Sequence, residues 1–104
     1  MPKYVFAYHG GSTPQSPADQ AAVMAAWGTW FGTLGTAVVD GGNPIGASKT
    51  VKSDGSTSDG GGANALSGYS LINATDLNAA VSLAKGCPIL AAGGTVEVAE
   101  TIDM

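Results

Sequence analysis

The sequence has little charge and no arginine. Only 12% of its 104 residues are charged, about half the usual share, and four lysines face eight acidic residues. Proteins bind nucleic acids and anionic membranes through clustered arginine and lysine side chains, so neither is an expected partner. The surface must be built from Ser, Thr, Asn, Gly and Ala, which indicates a chain that covers part of itself in an oligomer.

Cysteine and histidine each occur once. Cys87 has no partner for an internal disulfide, and we interpret it, beside Pro88 at a helix end, as a small packing residue rather than a nucleophile. Because the chain has no cysteine pair and no histidine cluster, we expect no metal site and no cofactor.

Long apolar runs are missing as well. No segment reaches transmembrane length, and the opening residues MPKYVFAYHGG lack the apolar centre of a signal peptide. We therefore expect no membrane partner and a cytoplasmic location, or an equivalent reducing compartment. The length predicts a single domain, residues 1–104, large enough for a hydrophobic core.

The clearest element is a helix over residues 16–35. Ser16 is a good N-cap because its hydroxyl can accept a hydrogen bond from a free backbone N–H, and Pro17 fits the first helical position. Gly35 fits the left-handed position that follows a helix C-terminus. Helical spacing predicts that one face of this helix points toward the core. That face carries Val23, Trp27, Trp30 and Leu34, with Met24 and Phe31 beside them.

The other side of this helix consists of small residues: Ala21, Ala25, Gly28, Gly32 and Gly35. A glycine inside a helix costs roughly 1 kcal/mol relative to alanine, so two of them need a reason. One explanation is the close approach of another backbone, for instance from a second subunit. The other is a small face that is merely solvated.

Four further segments have the composition of strands: Lys3–His9 and residues 36–40, 67–73 and 95–102. Residues 47–53 predict a polar hairpin arm or short edge strand, where lysines discourage aggregation. Residues 54–65 form a Gly/Ser/Asp loop that we expect to be the least ordered part. A second helix is predicted from a Thr75 cap to Gly86, with an inner face of Leu77, Ala80, Val81 and Ala84.

The order of these elements is strand, helix, strand, strand, helix, strand. It predicts an α+β chain of the ferredoxin-like βαββαβ type. Two helices cover only one face of a four-stranded sheet. The other face is therefore expected to pack on a second copy in a symmetric dimer.

Several segments in this order resemble the YCII-related family, in particular its DGPF-type branch. They are KYVFAY at 3–8, MAAWGTWFGTLG at 24–35, VVDGG at 38–42, GYSLI at 68–72, ATDLNAAVSLAKGCP at 74–88 and GGTVEV at 93–98. The resemblance implies a dimeric α/β barrel, in which two ferredoxin-like sheets face each other. The family has no settled activity, so the resemblance implies no particular reaction.

Two positions depart from the family pattern. Where the branch motif reads Asp-Gly-Pro-Phe, this chain has Asp59-Gly60-Gly61-Gly62. Some relatives carry a helix histidine paired with an aspartate, and the matching position here is Trp27, so that pair does not carry over.

His9 and Asp40 are the candidate catalytic residues, since each closes a predicted strand beside two glycines. A lone histidine can be a general base, a ligand or an ordinary strand-end residue. If the two strands place them at one pocket mouth, Asp40 would orient the imidazole of His9 and raise its basicity. The alternative is two unrelated polar strand ends.

Tyr8, Trp27, Trp30 and Tyr69 are candidates for lining an apolar substrate pocket between sheet and helix, or they are simply core. Glu97 is predicted either to point into the barrel, where a buried carboxylate needs a partner, or to form a rim salt bridge. The resulting expectation is a small cofactor-free enzyme that acts on a small apolar or aromatic metabolite, with His9 as acid and base. The alternative is a non-catalytic small-ligand-binding or accessory protein of the same fold.

Overall fold

The computed structural model describes all 104 residues. Neither helix combines the length and apolar content that crossing a bilayer requires. The elements confirm the predicted α+β class, and they are β1 (Lys3–His9), α1 (Pro17–Leu34), β2 (Val38–Asp40), β3 (Lys49–Val51), β4 (Thr57–Asp59), β5 (Leu66–Asn73), α2 (Leu77–Ala84) and β6 (Thr95–Glu100).

The main sheet has four strands in the order β2-β5-β1-β6, and each neighbouring pair runs antiparallel. Both helices contribute buried residues to the same cluster, on one face of this sheet. This arrangement is compatible with the predicted ferredoxin-like fold. The other face of the sheet has no helix packed on it, and we call it the open face.

Alternation along β1 builds the core. Tyr4, Phe6 and Tyr8 point toward the helices and are at most 4% exposed, whereas Val5 and Ala7 point to the open face and are half-buried. The apolar cluster on the helix side also contains Trp30, Leu34, Ile72, Ala74, Ala80, Ala84, Cys87 and Ile89.

The predicted ends of α1 are confirmed. Ser16 Oγ accepts a hydrogen bond from the Asp19 N–H at 3.1 Å, and Pro17 is the first helical residue. Gly35 follows the last turn with φ of +56°, a positive value that glycine adopts without strain.

The core-facing side of α1 is confirmed only in its second half, where Trp30 and Leu34 are buried. The prediction is wrong for Val23 and Met24, which are 39% and 71% exposed, because residues 17–26 are exposed throughout. No packed atom lies within 4 Å of the Cβ position at Gly28, so within one chain the small-residue side is a solvated face.

Several predicted boundaries shift. The segment Gly35–Ala37 is a 3-10 turn rather than the start of β2, and β6 ends at Glu100. The N-cap of α2 is Asp76 and not Thr75, because an Asp76 carboxylate oxygen accepts the Ala79 N–H at 2.8 Å.

The inner face of α2 is narrower than predicted. Ala80 and Ala84 are buried, but Leu77 and Val81 are exposed and that part of the prediction is wrong. The helix packs on the core through its alanines and the half-buried Leu83.

Strands β3 and β4 pair only with each other, so residues 49–59 form a separate hairpin arm. The arm predicted at 47–53 is confirmed, but 54–65 is not simply a loop, since Thr57–Asp59 is a strand. The turn is fixed by an Asp54 carboxylate oxygen, which accepts from the Ser56 N–H at 2.9 Å and from the Ser56 hydroxyl at 2.6 Å. These hydrogen bonds lower the pKa of Asp54.

Trp30 links both helices to the sheet, because its ring stacks on Phe6 at 6.2 Å and its Nε1–H donates to the Leu83 carbonyl at 3.1 Å. We expect Trp30→Ala to lower the free energy of unfolding by about 3–5 kcal/mol, measured by urea titration. The exposed neighbour Thr29 is the control, and Thr29→Ala should stay within about 0.5 kcal/mol of wild type. A loss below about 1 kcal/mol for Trp30→Ala would contradict the assignment of the helix faces.

Candidate functional site

His9 is one of the two buried polar residues of the chain. It ends β1, is only 8% exposed and points to the open face, one residue after Tyr8 points to the helices. Its Nδ1 lies 2.9 Å from the Asn64 carbonyl oxygen and its Nε2 lies 3.3 Å from Glu97 Oε1. Because a carbonyl oxygen only accepts hydrogen bonds, the network assigns a proton to Nδ1.

Glu97 reaches His9 along the β1–β6 ladder. It lies directly opposite Ala7, while His9 lies opposite Thr95, so the two side chains are diagonal neighbours on one face. The Glu97 side chain is 66% exposed. Within one chain Glu97 therefore lies at the rim beside His9, where the two form an ion pair when His9 is protonated, and its burial inside a dimeric barrel stays a prediction.

A small cavity of about 340 Å³ opens beside His9. Its walls are mostly glycine and alanine, so backbone groups come close to the imidazole. At Gly94 a Cβ would lie 2.6 Å from the His9 carbonyl oxygen, so only glycine fits this wall. The lining residues are His9, Gly10, Gly62, Ala63, Asn64, Ala65, Gly93, Gly94 and Thr95.

Asp40 is not part of this site. In the ladders Asp40 lies opposite Leu71, which lies opposite Val5, so Asp40 is two strands across and four residues along from His9. Standard strand spacings make that separation roughly 16 Å. The Asp40 carboxylate instead accepts the Gly42 N–H at 2.8 Å. The predicted pairing of His9 with Asp40 is wrong, and the two are unrelated strand ends.

The aromatic candidates lie mostly on the other side of the sheet. Tyr8 packs edge-on against Trp27 at 5.0 Å and Trp30 at 6.4 Å, and all three border an open groove of about 1380 Å³ beside α1. Tyr69 also borders this groove, but its register opposite Ala7 places its side chain on the open face with His9. Of the four aromatic residues predicted to line a pocket, only Tyr69 therefore lies on the same face of the sheet as His9.

Tyr8 has a structural role, because hydrogen bonds fix its hydroxyl inside the core. Its hydroxyl donates to Ser70 Oγ at 2.8 Å, and the Ser70 hydroxyl donates to the Gly41 carbonyl at 2.7 Å. Burial raises the pKa of Tyr8 far above its usual value, which keeps the phenol neutral. Tyr8 and Trp30 are core, as one of the two interpretations held.

Sequence reasoning missed Asn64, because a backbone carbonyl leaves no signal in the residue type. It named Glu97 but not as the partner of His9, since the register between β1 and β6 is set by tertiary pairing. No group of three or more His, Cys, Asp or Glu side chains is arranged to hold a metal ion.

No model of a known protein family matches this sequence. A comparison with curated proteins also finds no match.

Cys87 gives a direct check on the packing of the core on the helix side of the sheet. It is 3% exposed, and burial raises the pKa of its thiol from 9.0 to about 11. Below the pKa, each unit of increase lowers the thiolate fraction about tenfold. We therefore expect Cys87 of the native protein to react at pH 8 at least about 100-fold more slowly than Cys87 of the protein unfolded in urea. The reaction rate is measured with a chromogenic disulfide. Equal rates in both states would contradict this packing.

Proposed function

We propose that this chain is a small cofactor-free enzyme that uses His9 as acid and base on a small apolar or aromatic metabolite. The observation that carries the proposal is the setting of a nearly buried histidine, whose Nδ1–H donates to the Asn64 carbonyl and whose Nε2 lies 3.3 Å from the Glu97 carboxylate, which pairs with Nε2 once Nε2 is protonated. Glu97 takes the role that the sequence had suggested for Asp40.

The chemistry follows from this geometry. With its proton on Nδ1, the imidazole has a lone pair on Nε2 that can accept a proton from a substrate. The Glu97 carboxylate then stabilises the imidazolium, and Nε2 returns the proton to another substrate atom. Such a cycle moves protons only, and therefore suits an isomerase or a lyase.

The open face supplies an apolar floor beside His9. The floor consists of half-buried apolar residues that alternate along the strands with helix-facing residues: Val5, Ala7, Leu71 and Ala99. Tyr69 adds an aromatic ring on the same face of the sheet. An apolar substrate would rest on this floor with its reacting atom near Nε2.

A second copy of the chain would close this floor, as in a dimeric α/β barrel. A sheet whose helices all lie on one side leaves its apolar face in water unless another sheet covers it. The YCII-related assignment and a cytoplasmic location belong to the same proposal. The first rests on the segments that resemble that family, and the second rests on the composition.

The alternative is a protein of the same fold that binds a small ligand without catalysis. The exposure of Glu97 favours it, because a carboxylate in water stabilises a neighbouring charge only weakly. In that case the cavity beside His9 only binds.

The dimer can be tested through the open face. We expect light scattering at micromolar concentration to give twice the chain mass of 10.2 kDa. Leu71→Glu should produce monomers, because it places a charge on the face that the second copy covers.

Met24→Glu is the matched control on the exposed side of α1 and should leave the dimer intact. Monomeric wild-type protein that stays folded would overturn the barrel model. Dissociation by Met24→Glu but not by Leu71→Glu would move the interface to α1.

The role of His9 can be tested with a panel of small apolar and aromatic metabolites, first by thermal shift and then for turnover. For a substrate found in this way, His9→Gln should reduce kcat by about 10²–10⁴-fold, and Glu97→Gln by less. Asp40→Asn, the control for loss of a strand-end carboxylate, should keep full activity. A ligand that stabilises wild type and His9→Gln equally, without turnover, would favour the binding protein.

A further inference from the structure

Residues 60–65 connect the hairpin arm to β5 and form one wall of the cavity beside His9. No backbone–backbone hydrogen bond joins residues 61–65 to the rest of the chain. Its hydrogen bond to the rest of the chain is the one from His9 Nδ1–H to the Asn64 carbonyl. This wall is therefore attached to the domain through the candidate base itself.

The opposite wall is built differently. The Gly93 N–H donates to the Leu90 carbonyl at 3.1 Å, and the Gly94 N–H donates to the Ile89 carbonyl at 2.9 Å. Gly94 also packs so closely on His9 that no Cβ would fit. One wall of the cavity is thus fixed by backbone hydrogen bonds and packing, and the other is not.

The loosely attached wall has glycines where it could bend. Gly60 and Gly62 have φ values of +77° and +85°, and no packed atom lies within 4 Å of the Cβ position at either residue. The strands of the hairpin arm before them pair only with each other and not with the main sheet. Gly60 is hydrogen-bonded to the arm through Ser48 and Thr50, so movement of residues 61–65 about Gly60 would break few contacts besides the Asn64–His9 hydrogen bond.

We propose that residues 60–65 are a lid over His9, latched by the Asn64 carbonyl. Closed, the lid holds the Nδ1–H tautomer and leaves Nε2 as the proton-accepting atom. Open, it frees Nδ1 and admits a ligand to the imidazole from the cavity side. This inference deepens the proposed function and rests on it for the consequence in catalysis, whereas the opening of the lid can be tested apart from it.

The lid can be tested without a substrate, because His9 is the only histidine and its carbethoxylation by diethyl pyrocarbonate reports its accessibility. Gly62→Ala strains the closed lid, since a left-handed conformation costs an alanine roughly 1–2 kcal/mol. We expect His9 to be modified about 5- to 30-fold faster in Gly62→Ala than in wild type.

Gly55→Ala is the matched control. Gly55 also has a left-handed φ, +88°, and open space around it, but it lies in the turn of the hairpin arm. It should leave the rate of His9 modification unchanged. Equal rates in Gly62→Ala and wild type, or equal acceleration in both variants, would overturn the lid.

Wild-type protein gives a second test that needs no variant. If His9 becomes accessible by lid opening, its modification rate stays flat at low urea and rises only near the unfolding transition. A rate that follows global unfolding from zero urea would overturn the proposal. If the lid passes these tests but His9→Gln changes neither binding nor turnover, the proposed function fails and the lid stands.

Discussion

The alternation of side chains along β1 determines both the composition of the core and the position of His9. It sends Tyr4, Phe6 and Tyr8 into the core under the helices and sends His9 to the open face. A shift of the strand by one residue would put the histidine among aromatic rings and the phenol of Tyr8 into water. The register of β1 with its two neighbours therefore sets the core and the candidate site together.

Local signals in the sequence predicted the elements well, because the deciding interactions lie within a few residues. The Ser16 cap, the Gly35 end of α1 and the strand Lys3–His9 are of this kind. The order of elements was enough for the α+β class, and the strand order is compatible with the ferredoxin-like topology that it predicted. Thr75 lost its predicted capping role to Asp76 because two adjacent residues could both cap, and the sequence did not discriminate between them.

The site was harder to predict because it depends on pairing between distant residues. His9 was recognised as a candidate, but its partners are 55 and 88 residues away along the chain. Asp40 fitted the same local pattern as His9 and lies elsewhere, since β2 and β1 are separated by β5. The exposure of Val23 and Met24 shows the same limit, because helical spacing identifies a common face without showing whether anything lies under it.

The exposed first half of α1 has a consequence for handling the protein. Residues 20–26 carry no charge, so electrostatic repulsion between molecules must come from the acidic residues elsewhere on the surface. That repulsion vanishes near the isoelectric point of about 4.4. Colloidal stability in mildly acidic buffer is thus limited by a bare apolar helix, whereas at neutral pH the net charge of −4 keeps such helices apart.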